Sequence, residues 1–553
     1  MTPTRRLSIL TLSFLVVGAL LGGVLGARAL AEPQRADDQL WRFGRVVSLI
    51  EDQYVGEVDS KELIDDAIEG MLRTLDPHSN YLDVETFRTM RDEQRGKFSG
   101  LGIQITKRGP DKPLTIIAPI DDTPAHRVGL LSGDVIAQIE GRPTIELSVQ
   151  DAVQLLKGEK GTRVTITIQR PGLAEPFDVT IERDDIPIDS IRVAFLLSDG
   201  IGYIRIFNFT STTAEELDDA IARLKGEGMT RLLLDLRGNP GGLLDQAVQV
   251  SERFVAEDKL IVYTRGRIPG SDQDYVAKRG VERVDLPLVV LVDQSSASAS
   301  EIVSGAIQDH DRGLVVGQPT FGKGLVQRVI PLQSGGALAV TTAKYYTPSG
   351  RLIQRDYSDL EEYYLHQEDD LAPPPVPGGE GAPDAGAGLE LFHTASGRKV
   401  FGGGGIRPDY IVEPNRAPEI VLNMIRDNVL FDYAVAFANR HPELRRDFAV
   451  NDEVLADFRA HLDRRSFAYE ARAFDESRDA IGLRLRAQIA RVRWNQIEEA
   501  RVLAAADPQV VRALQLFDEA AALAVRAKDS PAAKPRPALQ AQSGPPEGPP
   551  AKR

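Results

Sequence analysis

Ser295, Ser296, Ser298 and Ser300 stand close together, interleaved with Ala297 and Ala299, where the apolar run Leu288–Val292 ends. Glu301 follows, and Ile302, Val303, Ala306 and Ile307 recur at helical spacing, so the serines occupy a turn between a buried strand and a helix. Unpaired N–H groups at a helix start carry positive potential and suit a developing oxyanion. A second apolar strand, Leu314–Val316, leads into Thr320-Phe321-Gly322-Lys323-Gly324, where one lysine sits among glycines and apolar neighbours. A hydroxyl is a poor nucleophile until a base removes its proton. Lys323 could be that base for Ser298 if burial lowers its pKa from about 10.4 by roughly three units, at on the order of 4 kcal/mol. Phe321, Leu325 and Val326 supply apolar surroundings, and Gln327 could orient the amine or the hydroxyl. His310, beside Asp309, is the rival base, but it lies some three turns along the helix from Ser298 and reaches it only if that helix breaks. The plain alternative makes the serines a tight helix entry and Lys323 a surface cation.

Such a pair needs a scaffold, and residues 186–350 alternate between strand and helix patterns. Ile201–Ile206 and Arg231–Leu236 read as strands, with a helix from Thr212 between them. The second strand ends in Arg237-Gly238-Asn239-Pro240-Gly241-Gly242 and enters a helix through Leu243, Leu244 and Ala247. Glycines at such a junction let the backbone approach a ligand closely. No GxGxxG or GK[ST] pattern supports a phosphate there, whereas an oxyanion hole needs the same geometry. Ala337–Tyr345 reads as a further strand, closed by the turn Thr347-Pro348-Ser349-Gly350.

Residues 37–95 carry two apolar helical faces, one through Leu40, Phe43, Val46, Val47, Ile50 and Tyr54, the other through Leu63, Ile64, Ala67, Ile68, Met71 and Leu72. The second stops at Asp76-Pro77-His78-Ser79-Asn80-Tyr81-Leu82, where His78 has no companion ligands and reads as a turn residue. Residues 98–185 switch to short strands, with a helix from Ser148 to Lys157 capped by Ser148. Residues 366–388 are rich in proline, glycine and acid and read as a solvated insertion. Residues 416–527 return to helical spacing, and 528–553 read as a disordered tail.

With 553 residues the chain is too long for one core and implies several domains. A net charge of -15 argues against a nucleic-acid partner. The absence of cysteine removes thiol catalysis and thiolate metal sites, and the seven histidines show no paired metal-ligand spacing, so neither metal nor cofactor is expected. Arg5 and Arg6 precede the apolar run Leu7–Leu25, followed by Ala29-Leu30-Ala31. Residues 1–31 therefore read as a signal peptide or a retained membrane anchor, which implies export to a periplasmic or other extracytoplasmic location.

Two resemblances extend this reading. Gly100-Leu101-Gly102-Ile103 with GLLSGDVIAQIEGRP resembles a PDZ domain over residues 98–185. That resemblance implies a loop whose amides hold a peptide's terminal carboxylate, and a peptide strand added beside the one that starts at Ile103. SASASEIVSGAIQDH, VVGQPTFGKGLVQ, DLRGNPGG, DPHSNYL, TPSGRLIQ and GIRPDY together resemble the carboxyl-terminal processing peptidases, or tail-specific proteases, over roughly residues 40–415. The family likeness implies Ser298 as nucleophile, Lys323 as base and Gln327 in support. It also implies an oxyanion hole from the backbone of Ala299 and of Gly241 or Gly242. The implied architecture is multidomain α+β. A crotonase/Clp-protease-like α/β core over 186–415 carries an inserted PDZ domain, with helical regions at both ends. The implied function is that of an exported serine endopeptidase that captures apolar C-termini of protein substrates and works as a homodimer. Two other readings are a catalytically idle PDZ scaffold that senses C-termini and an enoyl-CoA-type acyl enzyme on the same core. The Ser298/Lys323 pair argues against the first, and the exported N-terminus with the PDZ segment argues against the second.

Overall fold

A computed structural model of the chain describes residues 38–107, 109, 112–359, 363 and 389–529. The apolar run 7–25, the insertion 366–388 and all but the start of the 528–553 tail lie outside the described residues. No helix among the described residues is long and apolar enough to cross a membrane.

The chain divides into two units. The first joins the segment up to Asp83 with Val329–Val340. It holds a helix over 38–53 and a second helix, Ser60–Arg73, that Asp59 caps by accepting from the Lys61 amide. The Asp76 carboxylate then accepts from the His78 and Ser79 amides and the Ser79 hydroxyl. This closes the turn and aims Asn80–Leu82 into antiparallel pairing with Ala337–Ala339. Leu40, Trp41, Val46 and Met71 remain exposed on this unit.

The second unit is built on a six-stranded sheet. Its strands run in the order Val193–Leu196, Ile201–Arg205, Arg231–Asp235, Leu288–Val292, Leu314–Gly317, Tyr410–Ile411. The first pair is antiparallel and the rest are parallel. The strands read as continuous apolar runs because both faces are buried. Leu232, Leu234, Val290, Val292 and Val315 turn to one face, against the helices Thr213–Gly226, Leu244–Glu252 and Ala299–Asp309. Leu233, Val289, Leu291, Leu314 and Val316 turn to the other, which the last helices of the chain cover with Val510, Ala513, Leu516, Phe517 and Leu523. Each buried Val, Leu or Phe of this set contributes about 1.5–3 kcal/mol by leaving water. The C-terminal helices thus cover the second face of the sheet.

Residues 98–185 form a six-stranded antiparallel sheet with the helix Val149–Leu156, whose Ser148–Asp151 capping box is the expected start. Ile103–Lys107 is an edge strand, paired on one side only, with Leu114–Pro119. Helices between Glu419 and Arg493 pack around Tyr433, Phe458, Phe474 and Leu485. The architecture is the multidomain mixed α and β one expected, with helical regions toward both ends. Several strands were not anticipated, among them Leu260–Gly266, Gln273–Val276 and Leu325–Pro331, whose partial exposure breaks the apolar runs that mark the core strands.

Candidate active site

Ligands in parallel sheets lie beyond the C-terminal ends of the strands, and the three suspected loops leave from those ends. Asp235 leads into 236–243, Val292 into 293–298 and Gly317 into 318–324, from three adjacent strands. The topology therefore gathers residues that are far apart in sequence.

The serine turn is asymmetric. Ser296 is buried, and its hydroxyl donates to the Leu236 carbonyl at 2.9 Å. Ser300 is buried, and its hydroxyl donates to the Asn239 carbonyl at 3.0 Å. These two serines tie the turn to the glycine loop. Ser298 alone of the four has a positive φ, 53°, and it remains half-buried directly before Ala299–Asp309. A non-glycine residue held there stores roughly 1–3 kcal/mol, which the surroundings must enforce.

Glu301 does the enforcing. It is fully buried, and its carboxylate accepts four hydrogen bonds. One oxygen accepts from the Ser298 amide at 2.7 Å and the Lys323 amide at 3.0 Å. The other accepts from the Thr320 hydroxyl at 2.6 Å and the Gly322 amide at 2.8 Å. The backbones of Ser298 and Lys323 are thus held within two hydrogen-bond lengths, on a single oxygen. The Tyr345 hydroxyl closes the opposite side, within reach of the Ser298 carbonyl at 3.1 Å and hydrogen-bonded to the Lys323 carbonyl. The Lys323 side chain is half-buried, and its Nζ donates to Gln327 Oε1 at 2.9 Å. Burial pushes the Glu301 carboxyl up to about 7, against its four donors, which pull it down.

The glycine loop lies against the same turn. A Cβ added at Gly241 would stand 2.8 Å from Ser298 Cβ and 3.0 Å from the Ala299 nitrogen, so the approach requires glycine. Asn239 organises the loop: its Nδ2 donates to the Ile206 carbonyl, its carbonyl accepts from the Ala297 amide, and its Oδ1 accepts from the Gly241 amide at 2.9 Å. The Gly241 amide is therefore engaged, whereas the Gly242 and Ala299 amides make no hydrogen bond among the described residues. Asp293 fastens the other flank by accepting from the Gly238 and Ser295 amides.

His310 ends the helix far from this cluster. Its Nε2 meets the Leu260 carbonyl at 2.6 Å, and burial lowers its pKa, so it is a packed helix-end residue. Gly100, Leu101, Gly102 and Ile103 form a separate group at the edge strand. The Leu101 carbonyl accepts from Ala125 and the Gly102 carbonyl from Ile120, while the Leu101 and Gly102 amides donate to nothing among the described residues. Gly102 has φ 80°, and a Cβ there would come within 2.3 Å of the Thr123 side chain. The described residues contain no cluster fit to hold a metal ion.

Spacing alone did not single out Glu301, Tyr345, Asn239 or Asp293. For Glu301 a signal was present: Ser298-x-x-Glu301 has the spacing of a capping box, and its acid falls within a buried helix.

A carboxyl whose pKa is raised on folding holds its proton more tightly in the folded chain. Its stabilisation is complete below its unfolded value of 4.5 and is lost as pH climbs through about 7. Relative to Glu301→Gln, which cannot titrate, the wild-type chain should lose on the order of 3 kcal/mol across that window. Urea unfolding of both proteins at a series of pH values measures the difference, and a pH-independent difference contradicts the assignment.

A model of Peptidase family S41 matches residues 200–359, and a PDZ domain model matches 115–170. Models of the activating protease CtpB N-terminal domain and of a probable PDZ-protease C-terminal helical domain match 26–86 and 420–476. The carboxy-terminal-processing protease of Bartonella bacilliformis is 42% identical over 349 residues, 62% of this chain and 79% of that protein. The carboxyl-terminal-processing protease of Synechocystis is 37% identical, over 64% of this chain and 86% of its own length. The carboxy-terminal processing protease CtpA of Bacillus subtilis is 34% identical, over 58% and 67%. On this likeness the chain belongs to the carboxy-terminal processing proteases, serine-type peptidases with a PDZ domain.

Proposed function

We propose that the protease acts as an endopeptidase through a Ser298–Lys323 dyad and an acyl-enzyme. The observation that carries this reading is the shared Glu301 oxygen, which joins the amides of the two residues. The neutral Lys323 amine takes the proton from Ser298 Oγ as that oxygen attacks the scissile carbonyl carbon. The Ala299 amide and one glycine amide receive the negative oxygen. Gly242 is the better donor of the pair considered, because the Gly241 amide is already given to Asn239. The lysine ammonium then returns its proton to the leaving amide nitrogen, the C–N bond breaks, and the acyl group stays on Ser298. Water, deprotonated by the same amine, releases the acid. Gln327 orients the amine through its Oε1.

Substrate enters by its C-terminal end. The carboxylate meets the Leu101 and Gly102 amides, which donate to nothing among the described residues, and the extended peptide pairs with the edge strand from Ile103. Apolar C-terminal residues suit the neighbouring Ile103, Ile105 and Leu156, which belong to the apolar cluster of this domain. A homodimer is proposed through the N-terminal helices, where Leu40, Trp41 and Val46 stay exposed. Residues 1–31 are proposed to direct export, leaving the catalytic chain outside the cytoplasm and either released or tethered to the membrane.

An unstructured protein with an apolar C-terminus provides the test. Wild type should cut it, and Ser298→Ala and Lys323→Ala should each lower kcat by about three orders of magnitude or more. Retained cleavage in both variants rules the dyad out. A second experiment separates capture from chemistry. Gly102→Val places side-chain atoms against Thr123 and should slow cleavage of the tailed protein while sparing a short peptide; equal rates on the tailed protein remove the PDZ role.

A further inference from the structure

We propose that Asp507 and Gln509, at the start of a C-terminal helix, are positioning residues for catalysis: they fix Arg237, and through it the glycine loop beside Ser298. This rests on the reading above that the 237–242 loop supplies an oxyanion donor.

Arg237 is the stem of that loop. Its guanidinium is mostly buried and almost fully engaged. Nε and Nη2 donate to the two oxygens of Asp235, at 3.0 and 2.7 Å. Nη1 donates to Asp507 Oδ2 at 2.6 Å and Gln509 Oε1 at 2.7 Å. Asp235 is wholly buried and also accepts from the Tyr203 hydroxyl at 2.5 Å, so it is anchored to the sheet. Arg237 is therefore gripped from two sides, one belonging to the sheet and the other to the C-terminal region, some 270 residues later in the chain.

The C-terminal grip is itself fixed in orientation. Asp507 Oδ1 caps the helix Pro508–Leu514 by accepting from the Gln509 amide at 2.8 Å and the Val510 amide at 3.3 Å. Its other oxygen is left to face Arg237. Gln509 Nε2 donates to the Val412 carbonyl at 2.7 Å, which turns Oε1 toward the arginine. Both acceptors are thus oriented by bonds of their own before they meet the guanidinium.

The loop needs such a grip. Gly238, Gly241 and Gly242 all adopt positive φ, so the segment has few side chains to lock it. The bonds from Asn239 and Asp293 hold its middle, and Arg237 fixes where it leaves the sheet. Losing the Asp507 charge removes the one ionic acceptor at the mostly buried Nη1 edge and leaves it only the neutral Gln509 Oε1. A displacement of about 1 Å at an oxyanion donor can cost on the order of 100-fold in rate, whereas peptide binding at the PDZ loop does not involve it.

Asp507→Asn separates the roles, because asparagine still caps a helix but carries no charge for Arg237. In the purified full chain, kcat on a short quenched peptide should fall about 10–100-fold while KM stays within about twofold. Affinity for a peptide boronate, which uses the oxyanion donors, should weaken by a similar factor, and Asp507→Glu should restore part of the loss. If wild-type cleavage depends on Ser298 and Asp507→Asn nevertheless keeps the wild-type kcat and boronate affinity, the proposal is overturned. So does a loss that merely follows the fall in melting temperature. If instead Ser298→Ala still cuts, it is the dyad reading that fails. Should Asp507→Asn not fold, Gln509→Leu, whose helix keeps its Asp507 cap, must give the same split between kcat and KM.

Discussion

A single buried carboxylate holds the proposed active site together. Without Glu301, the serine turn and the lysine loop would be two unrelated connections at the end of a sheet. Each of its oxygens takes two donors, and one oxygen takes the amides of both Ser298 and Lys323. Such a group is expensive to bury, and its burial is sustained only because every acceptor position is filled. The same arrangement explains the unfavourable φ at Ser298. The helix fixes the residue from its C-terminal side, Glu301 pulls its amide, and the Tyr345 hydroxyl lies against its carbonyl.

Other parts of the chain brace this centre from outside. Gly405, in the GGGGIRPDY stretch, has φ 82° and presses so closely on Thr320 that a Cβ would lie 2.4 Å from its carbonyl oxygen. The Thr320 hydroxyl in turn accepts from the Ile406 amide at 2.6 Å. Arg351, from the TPSGRL turn, is fully buried and pairs with Asp309 at the end of the helix that follows Ser298. Arg398 joins Asp311 and Asp409 on the same side. These motifs carry no reacting atom. Their work is to hold the helix and the lysine loop in register, as the Arg237 grip does for the glycine loop.

Much of this was legible in residue order. Buried parallel strands announce themselves as apolar runs, and the runs at 231–236, 288–292 and 314–316 each became a core strand. The switch from such a run to small residues marked the three loops that the sheet brings together, which carry Ser298 and Ala299, Lys323, and Gly241 and Gly242. Hydrogen-bond partners were much less legible. Whether an amide is free or already donated, as at Gly242 and Gly241, depends on a neighbour two residues away in a particular rotamer. Tyr345 looked like the end of a strand, and nothing in its spacing revealed that its hydroxyl reaches two carbonyls. The link from Arg237 to Asp507 joins residues too distant for any local pattern to connect.

In the proposed mechanism Ser298 is the one activated hydroxyl and Lys323 activates it. The most direct measurement is to react the full chain with a fluorophosphonate and map the adduct by mass spectrometry. With such a dyad one adduct is expected, on Ser298, formed rapidly in wild type and at least about 100-fold more slowly in Lys323→Met. An adduct on Ser295, Ser296 or Ser300, or equal labelling of Ser298 in the two proteins, would contradict it.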